Sequence, residues 1–580
     1  MDYRQKYNQW LAHPGMDEEL KEELQSIATD EQEIASRFDQ ELKFGTGGIR
    51  GRMGAGPSRI NIYMVRKITA GLARFIEKTA TGEDRPEPSV VIAYDTRYNS
   101  ERFAREAAGV LARWKIKVYL FTKPESTPLL SFAVRELNAT AGIVITASHN
   151  PAGDNGYKVY WSDGGQITDR LANAITAEID AVGDALLVDC GRLDDAQRAG
   201  LLILLDDQIT ASYLEHLQKL RLFTEKEALA ALKVVYTPLH GAGYEIIPRA
   251  LRAADFSNLI VVPEQAAIDP ASWTVYSPNP EDWSVFDQAI EYGEKIDADL
   301  LLATDLDADR VGVAARDQEN RFSPLTGNQL GSLLLEYILS RKKEAGDLPL
   351  NGIVIKTVVT SEIGRAIAAF YDQEILDTLT GFKYIGEKIK AFADTGKKTF
   401  LFGCEESCGY LLGDFVRDKD AVQACQVTAE MAAYYKKQGL TLHAALERLF
   451  QKYGYFAEKL INIELAAAEM DRVQEIMDFF RQAGLTKIGK RSIQRRADYL
   501  SQKEFDLQQN TEKPTNLPAA NSLKYFLERD AWFCVRPSGT EPKLKIYLGV
   551  QEASSEQAQK ELKDLKKAVL ELLEKGSTAS

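Results

Sequence analysis

Long apolar runs are missing from the sequence. The longest undiluted ones, such as LLILL at Leu201 to Leu205, fall well short of the roughly 20 residues that a helix needs to cross a bilayer, so no membrane contact is expected. Cysteine is scarce. The five cysteines (Cys190, Cys404, Cys408, Cys425 and Cys534) are odd in number and scattered, which suits a reducing cytosol better than a disulfide framework. Cys404 and Cys408 are close but have no further cysteine or histidine cluster beside them, so they read as plain thiols rather than zinc ligands. The opening MDYRQKYNQWLAHPGMDEEL carries no basic region followed by an apolar stretch, and with no secretory pattern a cytoplasmic location is expected. Positive charge is in deficit: the net charge of −14 argues against bulk attraction to nucleic acid or anionic membrane. The one basic run, KIGKRSIQRR, reads as a solvated loop or helix face. The glycine-rich FGTGGIRGRMGAGPSRIN has neither a Walker ending nor a G-x-G-x-x-G pattern, so it does not predict nucleotide binding.

What is present is an ordinary globular composition, 45% apolar and 27% charged, in a chain of 580 residues, long enough for several domains. Short β-branched runs alternate with helical spacing in SVVIAYDTR and RFAREAAGVLARW, in LKVVYTPLHGAG and IIPRALRAA, and in GIVIKTVVT and EIGRAIAAFY. This alternation predicts α/β domains with mixed or parallel sheets covered by helices, in three architecturally similar units. The last part reads as α+β, ending in an amphipathic helix from about Ser555 to Glu574. The expected domains are 1–207, 208–322, 323–450 and 451–580.

Ligands of open α/β sheets sit at the carboxyl ends of strands. AGIVI runs into Thr146, Ala147, Ser148, His149 and Asn150, placing an unhindered hydroxyl at such an end. In extended chain Ser148 and His149 point to opposite faces, so a base or proton carrier for Ser148 is sought elsewhere, with Lys158 a candidate. ADLLLATDLDADRVG delivers Asp305, Asp307 and Asp309 at alternate positions, three hard oxygen donors that repel one another unless a hard cation sits among them. Mg²⁺ is the natural occupant. An EF-hand fails because Arg310 stands at the glycine position and Arg316 at the final glutamate, and Asp309 weakens a D-x-D-x-[TV] phosphatase loop. KTFLFGCEESCGYLLGD offers Glu405 and Ser407 for sugar hydroxyls, and FVRDKDAV offers Arg417 and Lys419 for anionic oxygens. Arg536, Ser538, Gly539 and Thr540 in VRPSGTEPKLK have the composition of a phosphate cradle.

With TASHNP, DLDADR, GCEES and RPSGTEP in that order, the chain resembles the α-D-phosphohexomutase superfamily, most of all its long bacterial phosphoglucomutases. The resemblance implies three related α/β domains and a C-terminal α+β domain around a central cleft. It makes Ser148 the carrier of the transferring phosphoryl group. Asp305, Asp307 and Asp309, with an oxygen on Ser148, become the ligands of one Mg²⁺ per chain, and Arg310 lies alongside. Glu405 and Ser407 would grip the sugar, with Lys383 of GFKYIG on a further sugar-facing loop. Arg536, Ser538 and Thr540 would hold the phosphate not in transfer. Arg50, His149, Lys158 and Lys419 fall at catalytic or phosphate-facing positions, and the identity of the acid or base stays open among Lys158, His149 and Arg50. The implied reaction interconverts glucose 1-phosphate and glucose 6-phosphate through glucose 1,6-bisphosphate. FGTGGIRG is also similar to a branch that includes phosphopentomutases and glucose 1,6-bisphosphate synthases. Mannose and pentose phosphates therefore remain open, as do a metal-dependent sugar phosphatase and a silent phosphosugar-binding protein. The sequence does not report the oligomeric state, monomer or dimer.

Overall fold

The run SVVIAY is buried at every position of its strand, Ser89–Tyr94, in the computed structural model, as a central strand covered on both faces must be. The structure describes residues 2–578 apart from 46, 80–86, 269, 271–272, 465–469, 483 and 538–542. Two units are formed, Met1–Leu330 with Phe382–Leu442, and Gly331–Gly381 with His443–Ser580.

The first unit holds a sheet ordered Gly48–Arg52, Asp154–Trp161, Ala141–Ile145, Ser89–Tyr94, Lys117–Phe121, Leu202–Leu205. Its last four strands are mutually parallel and its first two antiparallel to their neighbours. A second sheet is ordered Phe322–Leu325, Val311–Arg316, Leu300–Thr304, Val234–Thr237, Leu259–Val261, again parallel at one side and antiparallel at the other. A third element pair, Thr399–Glu405 and Gly409–Leu411, is antiparallel. Of the mixed or parallel sheets expected for these domains, both sheets of this unit are mixed. Parallel neighbours need a long crossover, whereas the loops after Ile145, Thr304 and Glu405 are too short for one and turn the chain straight back.

The three chemically loaded motifs are thus equivalent hairpin turns. Each contains a non-glycine residue in the left-handed region: Ser148 (φ 53°), Ala308 (φ 50°) and Cys408 (φ 60°). This is the architectural repeat that the strand and helix alternation implied.

In the second unit Gly352–Thr357 and Glu374–Thr378 pair in parallel. The C-terminal sheet runs Tyr455–Glu464, Lys543–Glu552, Trp532–Pro537, Leu523–Leu527, Arg491–Asp498, Lys503–Asp506, Thr511–Pro514, antiparallel throughout. The helices Met470–Gln482 and Ser555–Thr578 complete an α+β arrangement. Its core stacks Tyr525 on Phe533 at 4.6 Å. The basic run is not a solvated loop or helix face. It forms strand Arg491–Asp498, with Ile493 and Ala497 buried, and Arg491 bonds the carboxylates of Glu552 and Glu561. Its apolar residues are too few for the alternation to stand out among the charges.

Gly241 fixes how closely the second sheet's loops approach each other. A Cβ there would lie 2.6 Å from Leu306 Cα and 2.7 Å from the Asp305 carbonyl oxygen, contacts that backbone cannot relieve. Gly241→Ala is expected to cost about 1–3 kcal/mol by overpacking, read as a lower denaturation midpoint. An unchanged midpoint would show that the two loops are not in contact.

Candidate active site

Ser148 leaves the end of strand Ala141–Ile145 in a turn that its own backbone N–H tightens by donating to Thr146 Oγ1 at 2.8 Å. The left-handed backbone at Ser148 breaks the extended alternation. As a result His149 Nδ1 lies 3.3 Å from Ser148 Oγ, on the same side rather than the opposite one expected from the sequence. Ser148 Oγ donates to Asp305 Oδ2 at 2.6 Å, so the hydroxyl and the acidic loop meet directly.

Asp305, Asp307 and Asp309 are all buried, with one oxygen of each within 4.8 Å of the others. Asp305 Oδ1 accepts from the N–H groups of Asp309 and Arg310, both at 3.1 Å, which closes the turn. Asp307 Oδ2 accepts from Lys158 Nζ at 2.7 Å and from Thr127 Oγ1 at 2.8 Å. Asp309 Oδ2 lies 3.1 Å from Lys419 Nζ and 3.6 Å from Lys158 Nζ. Asp307 Oδ1 and Asp309 Oδ1 are buried without a hydrogen-bond partner. Buried carboxylate oxygens without a donor are costly, and a hard divalent cation is the partner this oxygen set fits. Asp305, Asp307 and Asp309 would hold it, with Ser148 Oγ at hand.

The charges divide the three carboxyls. Burial, then Asp309 and Asp307, pushes the Asp305 carboxyl well above the usual range. Burial presses on Asp307 too, but Lys158 and Thr127 outweigh it and hold that carboxyl below its ordinary value. The His149 imidazole is held well below its usual value by desolvation and by Arg310 and Arg50, which keeps it neutral at pH 7. Lys419 is pushed up by Asp309, Asp418 and Glu405 against its own burial, and Arg310 by Glu281, Asp309 and Asp305.

Of the other residues singled out by sequence, Glu405 ends its strand buried, close enough for its charge to act on Lys419 and Arg310. Ser407 is half-buried in the same turn. Arg50 is exposed on strand Gly48–Arg52, and its charge reaches His149 and Asp307. Lys383 is not on a loop: GFKYIG opens helix Phe382–Thr395, whose Phe382, Ile385 and Ile389 are buried at helical spacing, and Lys383 Nζ bonds Asp169 Oδ1 at 2.7 Å. Arg417 turns to the carbonyl oxygens of Asp414 and Val416. In the second unit Arg536 donates to Thr380 Oγ1 at 2.5 Å. Ser538, Gly539 and Thr540 lie outside the described residues.

Sequence reasoning missed several supports. Thr127 starts helix Thr127–Glu136 and binds Asp307 twice, through Oγ1 and through its N–H to the Asp307 carbonyl at 2.9 Å. Arg97, in the quoted SVVIAYDTR, donates to four carbonyl oxygens of the Ser148 turn. Glu281 pairs with Arg310 at 2.8 Å, and Ser277 donates to the His149 carbonyl at 2.5 Å. Only the alternation of Asp95 and Arg97 past a strand end hinted at any of them.

Family models match the chain in four consecutive stretches: phosphoglucomutase/phosphomannomutase α/β/α domain I at residues 41–185, domain II at 211–318, domain III at 326–453 and the C-terminal domain at 460–568. The chain belongs to the phosphoglucomutase/phosphomannomutase family, and its fold is that family's four-domain α/β architecture. Phosphoglucomutases of Staphylococcus aureus strains MSSA476 and N315 are 37% and 36% identical over 515 residues, 89% of this chain and 90% of theirs. Among solved structures, a putative phosphomannomutase from Thermus thermophilus aligns with TM-score 0.67 at 22% identity, covering 92% of this chain and 99% of its own. The open form of pp63/parafusin, a Paramecium phosphoglucomutase, aligns with TM-score 0.67 at 16% identity, covering 92% and 96%. Among the described residues no helix is long and apolar enough to cross a membrane.

Two expectations follow from the electrostatics. Removing divalent ions with a chelator should lower the thermal midpoint, and Mg²⁺ at about a hundred times its dissociation constant should restore about 3 kcal/mol. Asp307→Asn should abolish that response, whereas an identical response in the variant would remove the trio from the ion site. Glu125, next to the segment that carries Thr127, is 3% exposed, and burial lifts its carboxyl to about 8 against the pull of Lys123. A raised folded value favours the protonated form, so its contribution is complete at low pH and is lost as pH rises from about 4.5 to about 8. Glu125→Gln should therefore stabilise the protein near about pH 9 and leave it unchanged below about pH 4, as read from denaturation midpoints.

Proposed function

We propose that this protein is a phosphoglucomutase, an isomerase that moves a phosphoryl group between the 1- and 6-oxygens of α-D-glucose by way of Ser148. The observation that carries the reading is the 2.6 Å contact between Ser148 Oγ and Asp305 in a buried trio of carboxylates that retains free oxygens. The name borne by relatives 37% identical supports glucose as the sugar.

Bound Mg²⁺ would supply charge neutralisation beside the phosphoserine. Ser148 carries the phosphoryl group; it is itself buried, and its turn at the end of strand Ala141–Ile145 sets Oγ against Asp305. The sugar hydroxyl attacks phosphorus in line, the bond to Ser148 Oγ breaks, and that oxygen keeps the electron pair. The hydroxyl proton passes to the basic set around Ser148. In that set His149 is neutral and near, while Lys158 and Arg50 contribute positive charge. Glu405 and Ser407 take sugar hydroxyls. Lys383 adds to the sugar-holding residues and Arg417 and Lys419 take anionic oxygens; in the second unit Arg536, Ser538, Gly539 and Thr540 take phosphate. Glucose 1,6-bisphosphate, formed by the first transfer, turns round and returns its other phosphate to Ser148. A cytoplasmic location, where glucose phosphates are found, fits this reading.

One experiment tests the function. Purified enzyme with Mg²⁺ and a trace of hexose bisphosphate is assayed on glucose 1-phosphate, mannose 1-phosphate and ribose 1-phosphate, alongside Ser148→Ala. We expect the fastest turnover on glucose 1-phosphate, a partial phosphate mass increment on the wild-type Ser148 peptide, and a loss of several orders of magnitude in the variant. Full activity of Ser148→Ala sinks the proposal. Release of inorganic phosphate without isomer formation would point instead to a sugar phosphatase, and binding without turnover to a phosphosugar-binding protein.

A further inference from the structure

Ser148 is not held in its left-handed conformation by its own turn alone. The Arg97 side chain is fully buried beneath the turn, beyond the end of strand Ser89–Tyr94. Its Nη1 donates to the carbonyl oxygens of Pro151 at 2.7 Å and Asp154 at 3.0 Å. Its Nη2 donates to those of Ser148 at 2.6 Å and Asn150 at 2.5 Å. Nε lies 3.3 Å from Asp95 Oδ2, and Asp95 is itself fixed by Ser100 Oγ at 2.6 Å and by the Arg97 N–H at 3.0 Å. The Trp273 ring covers the guanidinium at 5.4 Å. The N–H groups of both terminal nitrogens thus point at four carbonyls of one seven-residue turn, a fan that only a planar fork supplies.

We infer that Arg97 is a positioning residue for phosphoryl transfer, holding the turn 148–154 so that Ser148 Oγ faces Asp305 and His149. The inference rests on the reading of Ser148 as the phosphoryl carrier. Arg97 reaches neither Ser148 Oγ nor the acidic trio with any hydrogen bond, so its effect passes through backbone. Lysine retains the charge but presents three donors from a single atom, which cannot span four separated carbonyls. Arg97→Lys therefore leaves the charge inventory of the site intact and removes only the geometry. Misplacement by a fraction of an ångström at the reacting centre is costly in rate and nearly free in ground-state binding.

The test is Arg97→Lys in the full-length enzyme, with turnover normalised to the fraction of Ser148 that is phosphorylated. We expect kcat on glucose 1-phosphate to fall by about 100-fold with KM within about twofold, because the sugar-holding residues are untouched. Amide hydrogen exchange should accelerate across 148–154 and stay unchanged in strand Ala141–Ile145. A merely structural role predicts less folded protein but wild-type kcat per phosphorylated site, and that result overturns the inference. Asp95→Asn, which leaves the fork in place and weakens its anchor, should move both readouts in the same direction by less. It serves as the test if the lysine variant does not fold. If the wild type shows no mutase turnover at all, the functional reading has failed and exchange alone decides on Arg97. Faster exchange at 148–154 upholds the clamp, and unchanged exchange removes it.

Discussion

Three buried carboxylates in one place repel each other, and much of the first unit is arranged around that repulsion. Lys158 comes from the returning strand of one hairpin, Lys419 from beyond another, and Thr127 from a helix start. Lys158 and Thr127 share Asp307 Oδ2 and Lys419 takes Asp309 Oδ2, so the load is divided unevenly rather than cancelled. Asp305, which accepts from Ser148, has its carboxyl pushed up, while Asp307 is held below its ordinary value. Such asymmetry among like groups is how one cluster both binds a cation and accepts a hydrogen bond from a hydroxyl.

The same division explains how a chain of net charge −14 can present a site to an anionic sugar phosphate. Lys158, Lys419 and Arg310 are all engaged by carboxylates of the site. They set its shape and local potential more than they leave positive charge unspent. The exposed Arg50 and, once bound in the trio, a divalent ion would add positive charge that draws the ligand in.

Much of this was legible beforehand because chemistry clusters at strand ends. The D-x-D-x-D spacing announced the cation site, and TASHNP announced the hydroxyl. What stayed hidden has one common physical origin: backbone direction within loops is not written in residue type. Ser148 in the left-handed region, where serine is uncommon, brings His149 to its side instead of away. The choice of hairpin over crossover rested on loop length, which blurred strand boundaries conceal. GFKYIG carried a helical repeat too short to recognise before its continuation through Ile389 was weighed. Thr127 and Arg97 act across long sequence separations through hydrogen bonds, for which a single sequence offers no periodicity to read.

The pairing of Val144 with Lys158 bears on how this stretch of chain tolerates change in length. Side chains along a strand alternate faces, so removing or adding one residue between Ser148 and Lys158 would swing the ammonium to the far side of the sheet and strand Asp307 without its counter-ion. Related chains should therefore keep the residue count of that turn fixed or alter it only in pairs.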